Sequence, residues 1–225
     1  MTTIDNSKGV IFDLDGVLID SAPAHKQSWF ELAERQGYHI TDEMFYNTFG
    51  MQNPQILTLL AGHELPAEQI AALAEWKEKR YRDIVAGSLE LVAGGYELLS
   101  QLKMDGFRLA IGSSAPKENL DLVVNKLGLE KFFNAFVSSA DAPRGKPAPD
   151  TFLAAARKLG LAPQRCVVVE DAVHGVKASK AAGMKVIALT TTNDRKKLTE
   201  ADVIVDRLSD LTTADFAKLL EKNTS

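Results

Sequence analysis

Asp13 and Asp15 close the first apolar run of the chain, Gly9-Val10-Ile11-Phe12. A carboxylate at the end of a buried strand, with another two residues on, is costly to desolvate unless its charge is compensated. A bound cation is the usual compensation, and it would serve a metal-dependent acid/base or nucleophilic site. Taken alone, a buried Asp could equally cap a turn or accept backbone N–H groups. The pattern recurs, however. Arg108-Leu109-Ala110-Ile111-Gly112 ends in Ser113-Ser114, and Cys166-Val167-Val168-Val169 ends in Glu170-Asp171. Between them lies Gly145-Lys146-Pro147. Three strand-like runs ending in groups suited to a metal or a phosphate, plus a lysine set against a proline, point to one site assembled from distant parts of the chain.

Hydrophobic periodicity gives the elements that must carry these groups. From Gly94 onward, helices are expected at Tyr96–Met104, from Pro116 to Gly128, at Thr151–Leu159, Val173–Ala182 and Asp215–Leu220. Strands are expected at Phe107–Gly112, Ala135–Ser138, Cys166–Glu170, Lys185–Leu189 and Val203–Val205. This alternation places the chain in the α/β class, with a Rossmann-like parallel sheet covered on both faces. Ligands of open sheets bind beyond the carboxyl ends of the strands, where Asp13, Ser113 and Glu170-Asp171 fall.

The interval between the first strand and Phe107 is too long for one crossover and reads as helical. Trp29, Phe30, Leu32 and Ala33 recur before Gly37; Ile56, Leu57, Leu59 and Leu60 recur before Gly62. Pro66 opens a further segment with Ile70, Leu73, Ala74 and Trp76, continued by the charged stretch from Lys77 to Arg82. Residues 22–88 are therefore expected to form an inserted helical cap, with residues 1–21 and 89–225 as the α/β core. The hinges would lie near Asp20–Ala22 and Val85–Val92.

Composition narrows the partners. The 225 residues are 45% hydrophobic and 25% charged, as in ordinary globular proteins. A net charge of −4 argues against general affinity for nucleic acid or an acidic membrane, while leaving room for a small phosphorylated ligand. Cys166 is the one cysteine, so neither an intramolecular disulfide nor a cysteine metal cluster is expected, and it reads as a buried structural thiol. The polar stretch from Met1 to Lys8 lacks the apolar segment of a signal peptide. No apolar run approaches the length of a membrane span, so the expected compartment is the cytosol. Neither a phosphate-binding G-x-x-x-x-G-K-[ST] loop nor a dinucleotide glycine fingerprint is present.

Asp13-Leu14-Asp15-Gly16-Val17, Ser113, Gly145-Lys146-Pro147 and Glu170-Asp171 resemble, in order and spacing across the whole chain, the four motifs of the haloacid dehalogenase superfamily of phosphotransferases. The insertion after the first motif resembles the four-helix cap of its β-phosphoglucomutase-like branch. The resemblance implies Asp13 as a nucleophile that forms an aspartyl-phosphate, a role open to a carboxylate already ionised at neutral pH. It implies Asp15 as general acid and then base, its backbone carbonyl also ligating the metal. Asp13, Asp15 and Asp171 would form a hard-oxygen site for Mg²⁺, with Glu170 as ligand or neighbour to the ligands, or as a charge favoured by the helix dipole. Ser113 and Ser114, with the N–H groups that follow, would hold phosphoryl oxygens, and Lys146 would neutralise nucleophile and phosphate together. His25 and Asn53 are further candidates for substrate contact. His25 would either gate Asp15 or cap the linker.

Several reactions share such a core. Dehalogenases of the superfamily need no Mg²⁺ and typically lack the second aspartate, unlike Asp15 here. Its phosphonate hydrolases use a cap lysine, and residues 27–76 contain none. A β-phosphoglucomutase grips a second phosphate with Lys and Arg four residues apart, where this chain has Phe49 and Asn53. The later cluster Lys77, Lys79, Arg80 and Arg82 could supply a cation late in the cap, but a solvated helix face is the expectation. The expected function is thus a Mg²⁺-dependent phosphatase for a small phosphorylated metabolite, with a sugar phosphate foremost. The alternatives are a β-phosphoglucomutase, or a retired phosphatase that senses phosphate or binds a partner. Substrate choice would rest with Phe45, Phe49, Met51, Gln52 and Asn53, which could equally be cap core.

Overall fold

A computed structural model, describing residues 7–221, is built on one six-stranded sheet. Its strands are β1 (Gly9–Phe12), β2 (Arg108–Gly112), β3 (Ala135–Val137), β4 (Cys166–Glu170), β5 (Lys185–Leu189) and β6 (Val203–Val205). They lie in the order β3-β2-β1-β4-β5-β6, every neighbouring pair parallel. The strand order reverses at β1, which is flanked by β2 and β4. The crevice beyond such a switch point is where open parallel sheets bind ligands.

The strands are continuous apolar runs because both faces are covered. Val10, Phe12, Leu109, Ile111, Val167 and Val169 face one layer of helices: α5 (Gly95–Met104), α6 (Lys117–Leu127) and α9 (Thr213–Glu221). Ile11, Ala110, Val168 and Val186 face the other layer, α7 (Asp150–Leu159) and α8 (Val173–Ala181). The last helix begins earlier than the periodicity suggests, because Asp215 reaches back to accept from the Thr212 N–H and hydroxyl, each at 2.8 Å.

Between β1 and α5 come four helices, α1 (Ala22–Gln36), α2 (Asp42–Thr48), α3 (Asn53–Ala61) and α4 (Ala67–Val85). They share an apolar centre of Trp29, Leu32, Phe45, Phe49, Ile56, Leu57, Leu65 and Leu73. Helix α2 is too short to show periodicity; Thr41 caps it, accepting from the Met44 N–H at 3.2 Å. The two connections to the sheet run side by side, with Ile19 bridged to Leu91 and the Val92 N–H donating to the Leu18 carbonyl at 2.9 Å. Among the described residues no helix is long and apolar enough to cross a membrane.

Candidate active site

Asp13 follows the last residue of the central strand, and its N–H donates to the Val169 carbonyl at 2.9 Å. Lys146, fully buried, reaches it from the loop before α7. Its ammonium donates to Asp13 Oδ1 at 2.8 Å and to Glu170 Oε1 at 2.6 Å, and sits 4.8 Å from the centre of the Phe152 ring. The other oxygen of Glu170 accepts the N–H groups of Asp171 and Ala172, both at 2.7 Å. Glu170 therefore fixes the lysine and starts α8, using three of the roughly four acceptor positions of a carboxylate. Gly175 leaves the room it needs: a Cβ there would lie 1.7 Å from Glu170 Oε1.

Asp13, Glu170 and Asp171 each offer an oxygen within 4.8 Å of the other two. Burial pushes Asp13 up to about 7, Lys146 opposing and Glu170 and Asp15 adding to the shift. Burial, with Glu170 and Asp13 beside it, pushes Asp171 well above the usual carboxylate range. Burial works against the charge of Lys146, but Asp13 and Glu170 outweigh it and hold the ammonium charged. Three carboxylates facing one ammonium would carry an excess of negative charge when all are ionised, which is why two of them resist ionisation and why a divalent cation would suit them. Asp171 Oδ1 is buried with no hydrogen-bond partner, as an oxygen reserved for an ion would be. Its second oxygen accepts from the Thr192 hydroxyl. An all-oxygen donor set of this kind fits Mg²⁺.

Asp15 occupies the turn beyond. Its Oδ1 accepts from the Ser21 hydroxyl at 2.6 Å and lies 3.2 Å from His25 Nε2. The other ring nitrogen of His25 is 2.8 Å from Lys77 Nζ, and the ring stacks on Tyr81 with centroids 3.8 Å apart. Burial would raise the pKa of Asp15, but His25, Ser21 and Lys77 outweigh it and keep the carboxylate ionised. The His25 side chain thus lies between Asp15 and Lys77.

A cavity of about 500 Å³, counting its open mouth, joins these groups to the cap. Asp13, Asp15, Ser113 and Ser114 line it from the core; His25, Trp29, Phe49, Asn53, Lys77 and Glu78 line it from the cap. The Ser113 hydroxyl accepts from the Ala115 N–H at 3.0 Å, leaving its own proton to donate. The Ser114 hydroxyl is buried without a partner. Among the cap residues, Phe45, Phe49 and Ile56 are both cavity lining and cap core.

Glu78 and Asn119 escape the reading of the sequence, and Lys77 takes the less expected of its two places. Lys77, expected on a solvated face, is buried and lines the cavity, and Glu78 lies beside it with their charges 2.9 Å apart. The correction has a simple cause. Leu73, Lys77, Tyr81 and Val85 are four residues apart, so Lys77 shares the buried stripe of α4. That spacing was the available signal. Asn119, four residues before Val123 on the buried stripe of α6, reaches Glu78 from the core, its side-chain amide donating to Oε2 at 2.6 Å.

A family model described as haloacid dehalogenase-like hydrolase matches residues 7–183. The chain is 31% identical over 215 residues to a chloroplastic 5-amino-6-(5-phospho-D-ribitylamino)uracil phosphatase of Arabidopsis thaliana, covering 95% of this chain but 58% of that one. It is 33% identical over 206 residues to hexitol phosphatase A of Escherichia coli, covering 91% and 93% of the two chains. Among solved structures, a β-phosphoglucomutase from Clostridium difficile superposes with a TM-score of 0.87 at 25% identity, over 96% of this chain and 98% of the other.

Proposed function

The chain belongs to the haloacid dehalogenase-like hydrolases, and from that premise we propose that it is a Mg²⁺-dependent phosphatase acting on a small phosphorylated metabolite, a sugar phosphate foremost. The observation that carries this reading is the buried Asp13 carboxylate, lining the cavity, held by Lys146 and clustered with Glu170 and Asp171.

In the first half of the reaction an oxygen of Asp13 bonds to phosphorus and the ester P–O bond breaks, giving an aspartyl-phosphate. The leaving oxygen takes its proton from Asp15. Approach of a phosphate dianion raises the pKa of this carboxyl by like charge, readying it as an acid. In the second half Asp15 takes a proton from water, the water oxygen bonds to phosphorus, and the bond to Asp13 breaks to release inorganic phosphate. Lys146 offsets charge on the nucleophile throughout, and Ser113 and Ser114 donate to the phosphoryl oxygens. Asp13, Asp171 and the Asp15 carbonyl would hold Mg²⁺, with Glu170 beside them; the bound ion supplies charge neutralisation at the transferring group.

The test is phosphate release, with and without Mg²⁺, over sugar phosphates, nucleotides, phosphoglycolate, pyrophosphate and p-nitrophenyl phosphate. Asp13→Asn is expected to lower kcat by about a thousandfold or more, since it removes the attacking group. Residual activity within about tenfold of wild type would reject Asp13 as nucleophile. The mutase reading is tested by β-glucose 1-phosphate with a trace of bisphosphate, where efficient conversion to glucose 6-phosphate would establish it. A partner-binding or phosphate-sensing role would be favoured by the absence of phosphate release over the whole panel.

A further inference from the structure

The cap side of the cavity is not furnished to receive a second anion. Lys77 is the lysine that lines it, and no arginine does so among the described residues. Its ammonium is already engaged, 2.9 Å from Glu78 Oε1, 2.8 Å from His25 Nδ1 and over the faces of Trp29 and Tyr81. Glu78 is held as firmly. Asn53 donates to its Oε1 at 2.8 Å, and Asn119 to its Oε2 at 2.6 Å. Arg82 fixes Asn119 in turn, donating to its Oδ1 at 2.9 Å. Cap and core thus meet at one buried carboxylate on the cavity wall.

An ionised carboxylate only accepts hydrogen bonds, about four in all, and three are taken here. What remains on Oε2 can meet a hydroxyl. It cannot meet a phosphate or carboxylate oxygen, whose like charge would be repelled in a site shielded from water.

We propose that Glu78 is a specificity-determining residue, accepting a hydrogen bond from a hydroxyl of a neutral sugar or polyol monophosphate and excluding substrates that carry a second phosphate or a carboxylate. This rests on the phosphatase reading. Burial would raise the pKa of Glu78, but Lys77 and His25 prevail and keep it ionised, in agreement.

Matched pairs test it: fructose 6-phosphate against fructose 1,6-bisphosphate, and glucose 6-phosphate against 6-phosphogluconate. The wild-type protein is expected to favour the first of each pair by at least about tenfold in kcat/KM. Glu78→Gln, which also leaves Lys77 unpaired, should shrink that preference about tenfold, chiefly by raising KM for the neutral substrate and lowering it for the charged one. Glu78→Asp keeps the charge but retracts it, so KM for the neutral substrate should rise while the charged one stays rejected. This variant decides the matter if Glu78→Gln does not fold. Equal use of both members by the wild type, or a preference that either variant leaves unchanged while its kcat on p-nitrophenyl phosphate is measurable, would overturn the proposal. A wild-type protein that releases phosphate from none of these, p-nitrophenyl phosphate included, would instead overturn the phosphatase reading.

Discussion

A methyl group at position 16 would lie 2.0 Å from Asp171 Oδ2, and the backbone there has a φ of 81°. The glycine after Asp15 is thus required twice, for the left-handed turn and for the close approach of the carboxylate that completes the acidic centre. Gly16→Ala should displace Asp171 and weaken divalent-cation binding by about tenfold or more, at a stability cost of about 1–3 kcal/mol. Mg²⁺ titration followed by calorimetry, together with urea unfolding, reads both effects. Cys166 illustrates the opposite case, a chemically able group that the fold silences. It is fully buried, and burial pushes its thiol up to about 12. Alkylation by iodoacetamide at pH 8 is expected to be negligible in the native protein and rapid in denaturant; fast native alkylation would contradict the buried placement.

One packing contact lies directly under the chemistry, and one ionic tie holds the edge of the sheet. Phe152 of α7 is fully buried, and its ring lies under the Lys146 ammonium. Phe152→Ala should cost about 3–5 kcal/mol by urea unfolding, since it opens a cavity between α7 and the sheet. At the far end of the sheet, Asp202 ties the loop before β6 to β5 and α8. It accepts from the Val186 N–H at 2.9 Å, from Lys180 at 2.9 Å and from Lys185 at 3.3 Å. Burial would raise the pKa of Asp202, but these donors win and hold it below the usual carboxylate value. Its contribution is therefore present above the unfolded pKa near 4 and lost as pH falls through the folded one. Asp202→Asn should be less stable than wild type by about 1 kcal/mol at pH 7, and the gap should close on acidification towards pH 2. A gap that does not depend on pH would mean that the charge of Asp202 plays no part.

At the scale of the molecule, cap and core meet over the site. His174 Nε2 lies 2.9 Å from the Asn47 carbonyl, and the Gln52 side chain donates to the Ala142 carbonyl at 3.1 Å. Both are core-to-cap contacts at the rim, while Asn119 and Glu78 join the halves inside. Beneath them lies the unbalanced charge of Asp13, Glu170 and Asp171, which should make the whole fold respond to divalent cations. Mg²⁺ is expected to raise Tm in proportion to the logarithm of its concentration above Kd, by about 2.7 kcal/mol of stability at a hundred times Kd, and the rise should be absent in Asp171→Asn. Thermal melts with EDTA and with graded Mg²⁺ measure this.

Strands β1, β2, β4 and β5 were legible to within a residue because burial on both faces makes each a continuous apolar run. The short helix α2 was not, since seven residues complete too few turns to show a period. The acidic centre was equally legible. A lone carboxylate at a buried strand end is ambiguous, but Asp13, Ser113 and Asp171 all follow strands of an alternating chain, which places them at one edge of a parallel sheet, while Lys146, in a loop, was expected there only from the resemblance to the family motifs. Local chemistry and strand topology sufficed for those three. Tertiary structure alone decided what surrounds the substrate. The four-residue spacing of Leu73, Lys77, Tyr81 and Val85 marks Lys77 for the buried stripe of α4, but a sequence does not say which distant group meets a charge placed there. The fold answers Lys77 with Glu78, and a side chain 41 positions beyond that carboxylate, Asn119, donates to it from the core.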